Sequence, residues 1–283
     1  LKEKLQAVFK GEILDDELSL KIYSHDASLF EVKPQLVVFP KDVEDVRSLV
    51  KFANDNLDIS LTARSGGTDM TGGPLNESVI IDFTKYFNRI KEVGDGYAIT
   101  EPGVYYRDFE KEAAKKNLLL PSYPASKEIC TVGGMVANNA GGEKTLAYGK
   151  TEDYIQALKV ILSDGNEYVL RPLNKSELDQ KIGQQNFEGE IYRKLWSLIT
   201  DNSDLIKGAK PRVSKNSAGY YLWNIWNESV FDLTKLLVGS QGTLGLVTEI
   251  KFRLIRPKTH SRLLVIFLKD FFHPYTFAQS INT

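Results

Sequence analysis

Between Arg64 and Pro74 the chain reads RSGGTDMTGGP. The backbone amides of Ser65, Gly66, Gly67, Thr68 and Asp69 follow one another there, and the glycines leave them free to curl into a concave nest of N–H donors. With the Thr68 and Thr71 hydroxyls and the Arg64 guanidinium nearby, that donor set suits an anion, and a phosphate fits it well. The competing reading is a hairpin-like surface loop. The loop lacks the lysine of a Walker P-loop, and no G-x-G-x-x-G opens a helix elsewhere, so neither an ATPase nor a Rossmann dinucleotide site is supported.

A second stretch, Pro124 to Tyr154, reads PASKEICTVGGMVANNAGGEKTLAYGKTEDY and holds Gly133, Gly134, Gly141 and Gly142 together with Asn138 and Asn139. Glycine at that density costs chain entropy on folding. Apolar Val132, Met135, Val136 and Ala137 lie between the glycines, which favours a packed segment passing close to a ligand over a flexible loop. A third loop, GSQGTLG, spans Gly239 to Gly245. A single ligand served by all three would be large.

Other reactive side chains are sparse. His25, His260 and His273 form no metal-spaced pair and read as surface or structural histidines, and no metal site is expected. The single cysteine, Cys130, sits between Ile129 and Val132 and reads as a packed thiol rather than an activated one; it excludes an intramolecular disulfide and fits a reducing compartment.

The elements that must position these loops follow from periodicity. Amphipathic helices are expected over Leu1 to Phe9 and after Asp15 as an N-cap. Leu36 to Phe39 is a strand, Asp42 caps a helix carrying Val43, Val46, Leu49, Val50 and Ala53 on one face, and Ile59 to Ala63 is a second strand that delivers the chain into the Arg64 loop. Strands follow at Val79 to Phe83 and, after the Asp95-Gly96 turn, at Tyr97 to Glu101, with a helix over Tyr105 to Asn117. Ile155 to Leu162 and Glu167 to Leu170 form a hairpin through Asp164-Gly165. A helix ends near Asn202, Ser203 to Tyr221 reads as loop, and a short helix marked by Leu233, Leu236 and Leu237 leads into GSQGTLG. Leu246 to Leu254 alternates, with Ile250, Phe252 and Leu254 opposite Glu249, Lys251 and Arg253. Leu263 to Leu268 is an apolar strand, and a helix is expected over Phe271 to Ile281.

Composition bounds the function. Hydrophobic residues are 42% and charged residues 26% of 283, which is globular, and the balance of 36 basic against 37 acidic residues gives a net charge of -1. There is no basic tract for a nucleic acid and no apolar run long enough for a spanning helix, so a cytoplasmic protein is expected, with peripheral membrane association left open. The chain begins at Leu1 rather than Met, which suggests a processed or trimmed product.

ARSGGTDMTGG, PASKEICTVGGMVANNAGG with YGKTEDY, KNSAGYYL, and LLVGSQGTLGLVTEIKFRL occur in that order. Together they resemble the PCMH-type FAD-binding domain of the vanillyl-alcohol-oxidase-like flavoenzymes, and within it the FAD-linked D-2-hydroxyacid dehydrogenases, such as D-lactate dehydrogenase and the glycolate oxidase flavin subunit. The resemblance runs from about Tyr23 to Pro257. It implies an α+β fold with an FAD-binding domain over residues 1–257, divided into subdomains of about 20–89 and 90–257, and the first elements of a truncated substrate-binding cap over 258–283.

The resemblance also implies roles. Ser65 to Asp69 would give amides to the FAD pyrophosphate. Pro124, Ala125 and Ser126 would run along the flavin ring and ribityl chain. Thr131, Gly133, Gly134 and Asn138 would hold pyrophosphate and ribityl oxygens, Gly141 would let the backbone lie close, and Gly242 and Val247 would face the adenine. Tyr148, Lys215 and Tyr220 fall near the flavin face, and Lys215 and Tyr220 are the weak catalytic candidates. Thr68 stands where relatives with covalently attached flavin carry histidine, so FAD is expected to be non-covalent. The implied reaction oxidises a small D-2-hydroxy acid to the 2-oxo acid and passes electrons to a quinone, a protein or oxygen. The alternatives are a same-fold oxidase of another alcohol or aldonolactone, and a non-catalytic FAD-binding subunit.

Overall fold

A computed structural model describes residues 1–213, 216, 218–260, 265 and 267. The first sheet contains β1 (Glu12–Leu14), β2 (Leu36–Phe39), β3 (Leu61–Arg64) and β4 (Val79–Asp82) in the order β1-β2-β4-β3. β4 is parallel to both neighbours, and β1 is an antiparallel edge on β2.

The unbroken apolar runs of β2 and β4 are explained by cover on both faces. Leu36, Val38, Val79 and Ile81 join a core with Val46, Leu49 and Val50 of the helix Val43–Asp55, while Val37, Phe39 and Ile80 pack with Leu20 and Tyr23 of the helix Glu17–Tyr23. Asp42 caps the first of these helices by accepting the Asp45 amide at 2.9 Å. The second is capped by Asp16, one residue beyond the expected Asp15, because Asp16 is the residue whose side chain accepts the Ser19 amide.

The later strands are β5 (Ile90–Val93), β6 (Tyr97–Thr100), β7 (Ile155–Ile161), β8 (Glu167–Leu170), β9 (Leu173–Asn174), β10 (Val230–Phe231) and β11 (Leu246–Arg253). β9 and β10 form a small ladder; the others make an antiparallel sheet in the order β5-β6-β11-β7-β8. The expected alternation of β11 is present: Leu246, Thr248, Ile250 and Phe252 are buried, and Glu249 lies on the other face between Lys91 and Lys159. The β7–β8 hairpin turns at Gly165, whose φ of +75° favours glycine. The second core gathers around β11 and takes in Phe109, Val132, Met135 and Val136. Ile161 and Leu246 belong to the first core, so the two sheets meet along these side chains.

Three expectations about local structure change. Residues 203–209, expected as loop, are the helix Ser203–Ala209. The helix Lys175–Gly183 had not been expected, although Asn174 and Glu177 close a reciprocal capping box at its start. Within the second glycine stretch lies a helix, Val132–Ala137, capped by Thr131. The strand and helix expected over Leu263 to Leu268 and Phe271 to Ile281 lie outside the described residues, apart from isolated positions.

Candidate functional site, an anion cradle built from three glycine loops

The loop after β3 leaves the sheet at the carboxyl ends of two parallel strands, β3 and β4, where chain direction turns the backbone outward and α/β folds commonly place a ligand. Its return is fixed by Asp69. The Asp69 carboxylate accepts the Thr71 hydroxyl and the Gly73 amide, both at 2.7 Å, and the Asn138 side-chain amide at 3.3 Å. Burial opposes its ionisation, but these three donors outweigh that and hold it below the usual carboxylate range.

The Arg64 guanidinium lies behind the loop. It donates to the carbonyls of His25 at 2.7 Å and Tyr23 at 3.3 Å and stacks 5.0 Å from the Tyr23 ring. Gly67 takes a φ of +61°, and a β-carbon there would sit 2.8 Å from the guanidinium. Arg64 thus supports the loop from beneath, with its hydrogen bonds committed to the segment of Tyr23 and His25. Among the described residues, the amides of Ser65, Gly66, Gly67, Thr68 and Asp69 meet no protein acceptor.

The helix Val132–Ala137 organises the other two loops. At its start the Thr131 hydroxyl donates to Ser65 Oγ at 2.5 Å and accepts the Gly134 amide at 3.3 Å. Near its end the carbonyls of Val136 and Ala137 accept the amides of Gly239 and Gln241, both at 2.9 Å, which seats the third loop on the same short helix. All three loops therefore reach one cleft with about 910 Å³ of non-protein space, part of it open to solvent.

The cleft is lined by Arg64 through Asp69, Thr131, Gly133, Gly134, Asn138, Gly242 and Val247, so twelve of the positions singled out in the sequence come together. Pro124, Ala125, Ser126, Gly141 and Tyr148 lie outside its walls. Tyr220 does too, half exposed, with its hydroxyl 2.8 Å from Thr243 Oγ1. Lys215 falls outside the described residues. His25 is exposed beside Glu31, and His260 is exposed.

Ser240 and Gln241 line the cleft as well; they sit inside the GSQGTLG loop but had not been singled out. Pro102 and Phe83 had no sequence signal, because each reaches the cleft from a strand end. Cys130 is 3% exposed, and burial pushes its thiol up to about 11. It is a packed thiol as expected, not a thiolate.

The glycines divide by purpose. A β-carbon on Gly133 would lie 2.6 Å from Pro102 Cβ, and one on Gly142 would lie 2.4 Å from the Tyr123 carbonyl, so these two permit close internal packing. At Gly134 the nearest atoms are the hydroxyls of Ser65 and Thr131 at 3.3 and 3.5 Å, leaving its free side to the cleft. Unspent amides beside a small, open helix face fit a pyrophosphate, whose oxygens accept and do not donate.

Residues 34–171 match the family described as FAD binding domain. The chain has the FAD-binding fold of the vanillyl-alcohol-oxidase-like flavoenzymes: it superposes with a TM-score of 0.62 on an alkyldihydroxyacetonephosphate synthase, at 21% identity over 90% of this chain and 40% of that one. With 6-hydroxy-D-nicotine oxidase from Arthrobacter nicotinovorans the TM-score is 0.58, at 19% identity over 88% and 43%. In sequence it is 30% identical to D-2-hydroxyglutarate dehydrogenase of Escherichia coli, over 93% of this chain and 26% of that protein. The glycolate oxidase subunit GlcD of Bacillus subtilis is 29% identical over 94% and 47%, and D-lactate dehydrogenase of Anaerostipes hadrus is 29% identical over 90% and 44%. The chain thus spans less than half the length of each of these relatives. Among the described residues, no helix is long and apolar enough to cross a membrane.

Proposed function

We propose that this chain is the FAD-holding part of an oxidoreductase that converts a D-2-hydroxy acid to the 2-oxo acid, with FAD bound non-covalently. The observation that carries the proposal is the row of amides from Ser65 to Asp69, which meet no protein acceptor among the described residues and face a cleft closed by two further glycine loops. The substrate class is supported by the relatives, which are a D-2-hydroxyglutarate dehydrogenase, a glycolate oxidase subunit and a D-lactate dehydrogenase. Non-covalent attachment is supported by Thr68 in the first loop and by the burial of Cys130.

When bound, FAD supplies the two-electron acceptor for the hydride leaving the substrate's Cα. The chain's own residues bind and orient. The first loop neutralises the pyrophosphate through neutral N–H dipoles, which suits a protein with a formal net charge of -1. Thr131 and Asn138 tie that loop to the helix beside it, so the donors are held in place before the ligand arrives. Val136, Ala137, Leu237 and Val247 supply apolar wall.

The test is a steady-state assay of the FAD-loaded protein, expressed from its complete natural gene, with an artificial dye as acceptor. D-2-hydroxy acids should reduce the dye while their L enantiomers and sugar lactones do not. Turnover of a lactone with none of any D-2-hydroxy acid would contradict the proposal.

A further inference from the structure

One polar knot lies beyond the cleft walls. The Lys150 ammonium, on a side chain only 12% exposed, donates to the Asn216 carbonyl at 2.7 Å and the Tyr221 hydroxyl at 3.0 Å and pairs with Glu152 Oε1 at 3.2 Å. An ammonium has three donors, and here three acceptors of different kinds meet them. Glu152 also accepts the Asn224 side-chain amide at 3.1 Å, and its own amide donates to Asn139 Oδ1 at 3.0 Å. Asn139 follows Asn138 of the cleft wall, and the Thr151 amide donates to the Ala140 carbonyl at 3.0 Å, so the knot is fastened to the second glycine loop.

Tyr220 reaches the other way. Its hydroxyl bonds Thr243 Oγ1, and the Thr243 hydroxyl donates to the Ser240 carbonyl at 2.5 Å; Ser240 lines the cleft. The neighbours Tyr220 and Tyr221 therefore span two loops, one grasped from Lys150 and one from Thr243.

We propose that Lys150 is a positioning residue: by holding the Asn216 carbonyl and the Tyr221 hydroxyl at once, it sets the placement of Tyr220 and so locks the second and third glycine loops together around FAD. This inference rests on the FAD reading. A pair kept only to fill space could be replaced by neutral groups without consequence at the cleft. A cation chosen to match a carbonyl, a phenol and a carboxylate could not.

The experiment follows release of FAD from the holoprotein, by dilution into an excess of apo-glucose oxidase, an FAD-binding apoprotein, as trap, together with the visible absorbance of the bound flavin. Four proteins are compared: wild type, Lys150→Met, Lys150→Arg and Lys150→Met with Glu152→Gln. The double variant removes the unpaired carboxylate, so a normal thermal transition shows that it folds. It should still release FAD about tenfold faster, the size of coupling that neighbouring networks show, with a shifted flavin band, and Lys150→Arg should recover part of the loss. A folded double variant with the wild-type release rate and spectrum would overturn the proposal. Wild type that binds no FAD would instead overturn the reading beneath it.

Discussion

Thr131 and Ser65 share a hydrogen bond of 2.5 Å between their hydroxyls, although 66 residues separate them in sequence. The same Thr131 oxygen accepts the Gly134 amide and caps the short helix of the second loop. One side chain thereby sets both the start of that helix and the position of the nest opposite.

Thr131→Val keeps the shape and removes both bonds. Loss of an N-cap alone costs about 1 kcal/mol, and loss of the tie to Ser65 should weaken FAD binding about fivefold further, since ordering the loop then falls to the binding step. Flavin fluorescence titration checks this; Thr131→Ser, which keeps the hydroxyl, should bind nearly as wild type.

The two adjacent glycines of that helix should respond oppositely. Gly133→Ala drives a methyl into Pro102 and should destabilise the fold by roughly 1–3 kcal/mol. Gly134→Val meets only two hydroxyls nearby and should leave a folded protein whose FAD retention is lost, because the new branches enter the cleft. Thermal melts and flavin absorbance, measured on both variants, separate the effects.

That division shows how far sequence patterns reach. Alternation made β11 legible, and Asp164-Gly165 made the β7–β8 hairpin legible, because one buried face imposes a period of two. The helix Val132–Ala137 was hidden by its own glycines, which lower helix propensity while permitting contact with Pro102. Pro102 carries no local mark of that role, since the contact is made in space. Arg64 was legible as part of the cradle but not as its support, because the carbonyls of Tyr23 and His25 that take its hydrogen bonds lie some forty residues upstream.

Glu249, between Lys91 of β5 and Lys159 of β7, offers a pH test of the ion pairs that cross the antiparallel sheet. Burial opposes its ionisation, but hydrogen bonds from Lys91 and Lys159 outweigh that and lower its pKa from an ordinary value of 4.5. A carboxylate depressed in the folded state adds stability above its unfolded pKa and loses it as pH falls through the folded one. Denaturant melts should therefore show Glu249→Gln less stable than wild type at pH 7, with the gap closing below about pH 4. A gap that persists unchanged at pH 3 would mean that the lost charge is not the cause.

Cys130 should be inert in the native protein. Burial both shields the thiol and raises its pKa to about 11, so iodoacetamide at pH 8 should label it only after unfolding, and Cys130→Ser should retain FAD. Mass spectrometry of the intact protein decides both points, and native labelling at the rate of a free thiol would contradict the packing described.

The most direct measurement is the visible spectrum of the purified protein, supplied with FAD and then precipitated with acid. The cleft described predicts a flavin spectrum in the native protein and all of that flavin in the supernatant afterwards, with a colourless pellet. A native protein that stays colourless after exposure to FAD would contradict the claim that three glycine loops hold the cofactor, and flavin retained in the pellet would contradict its non-covalent attachment.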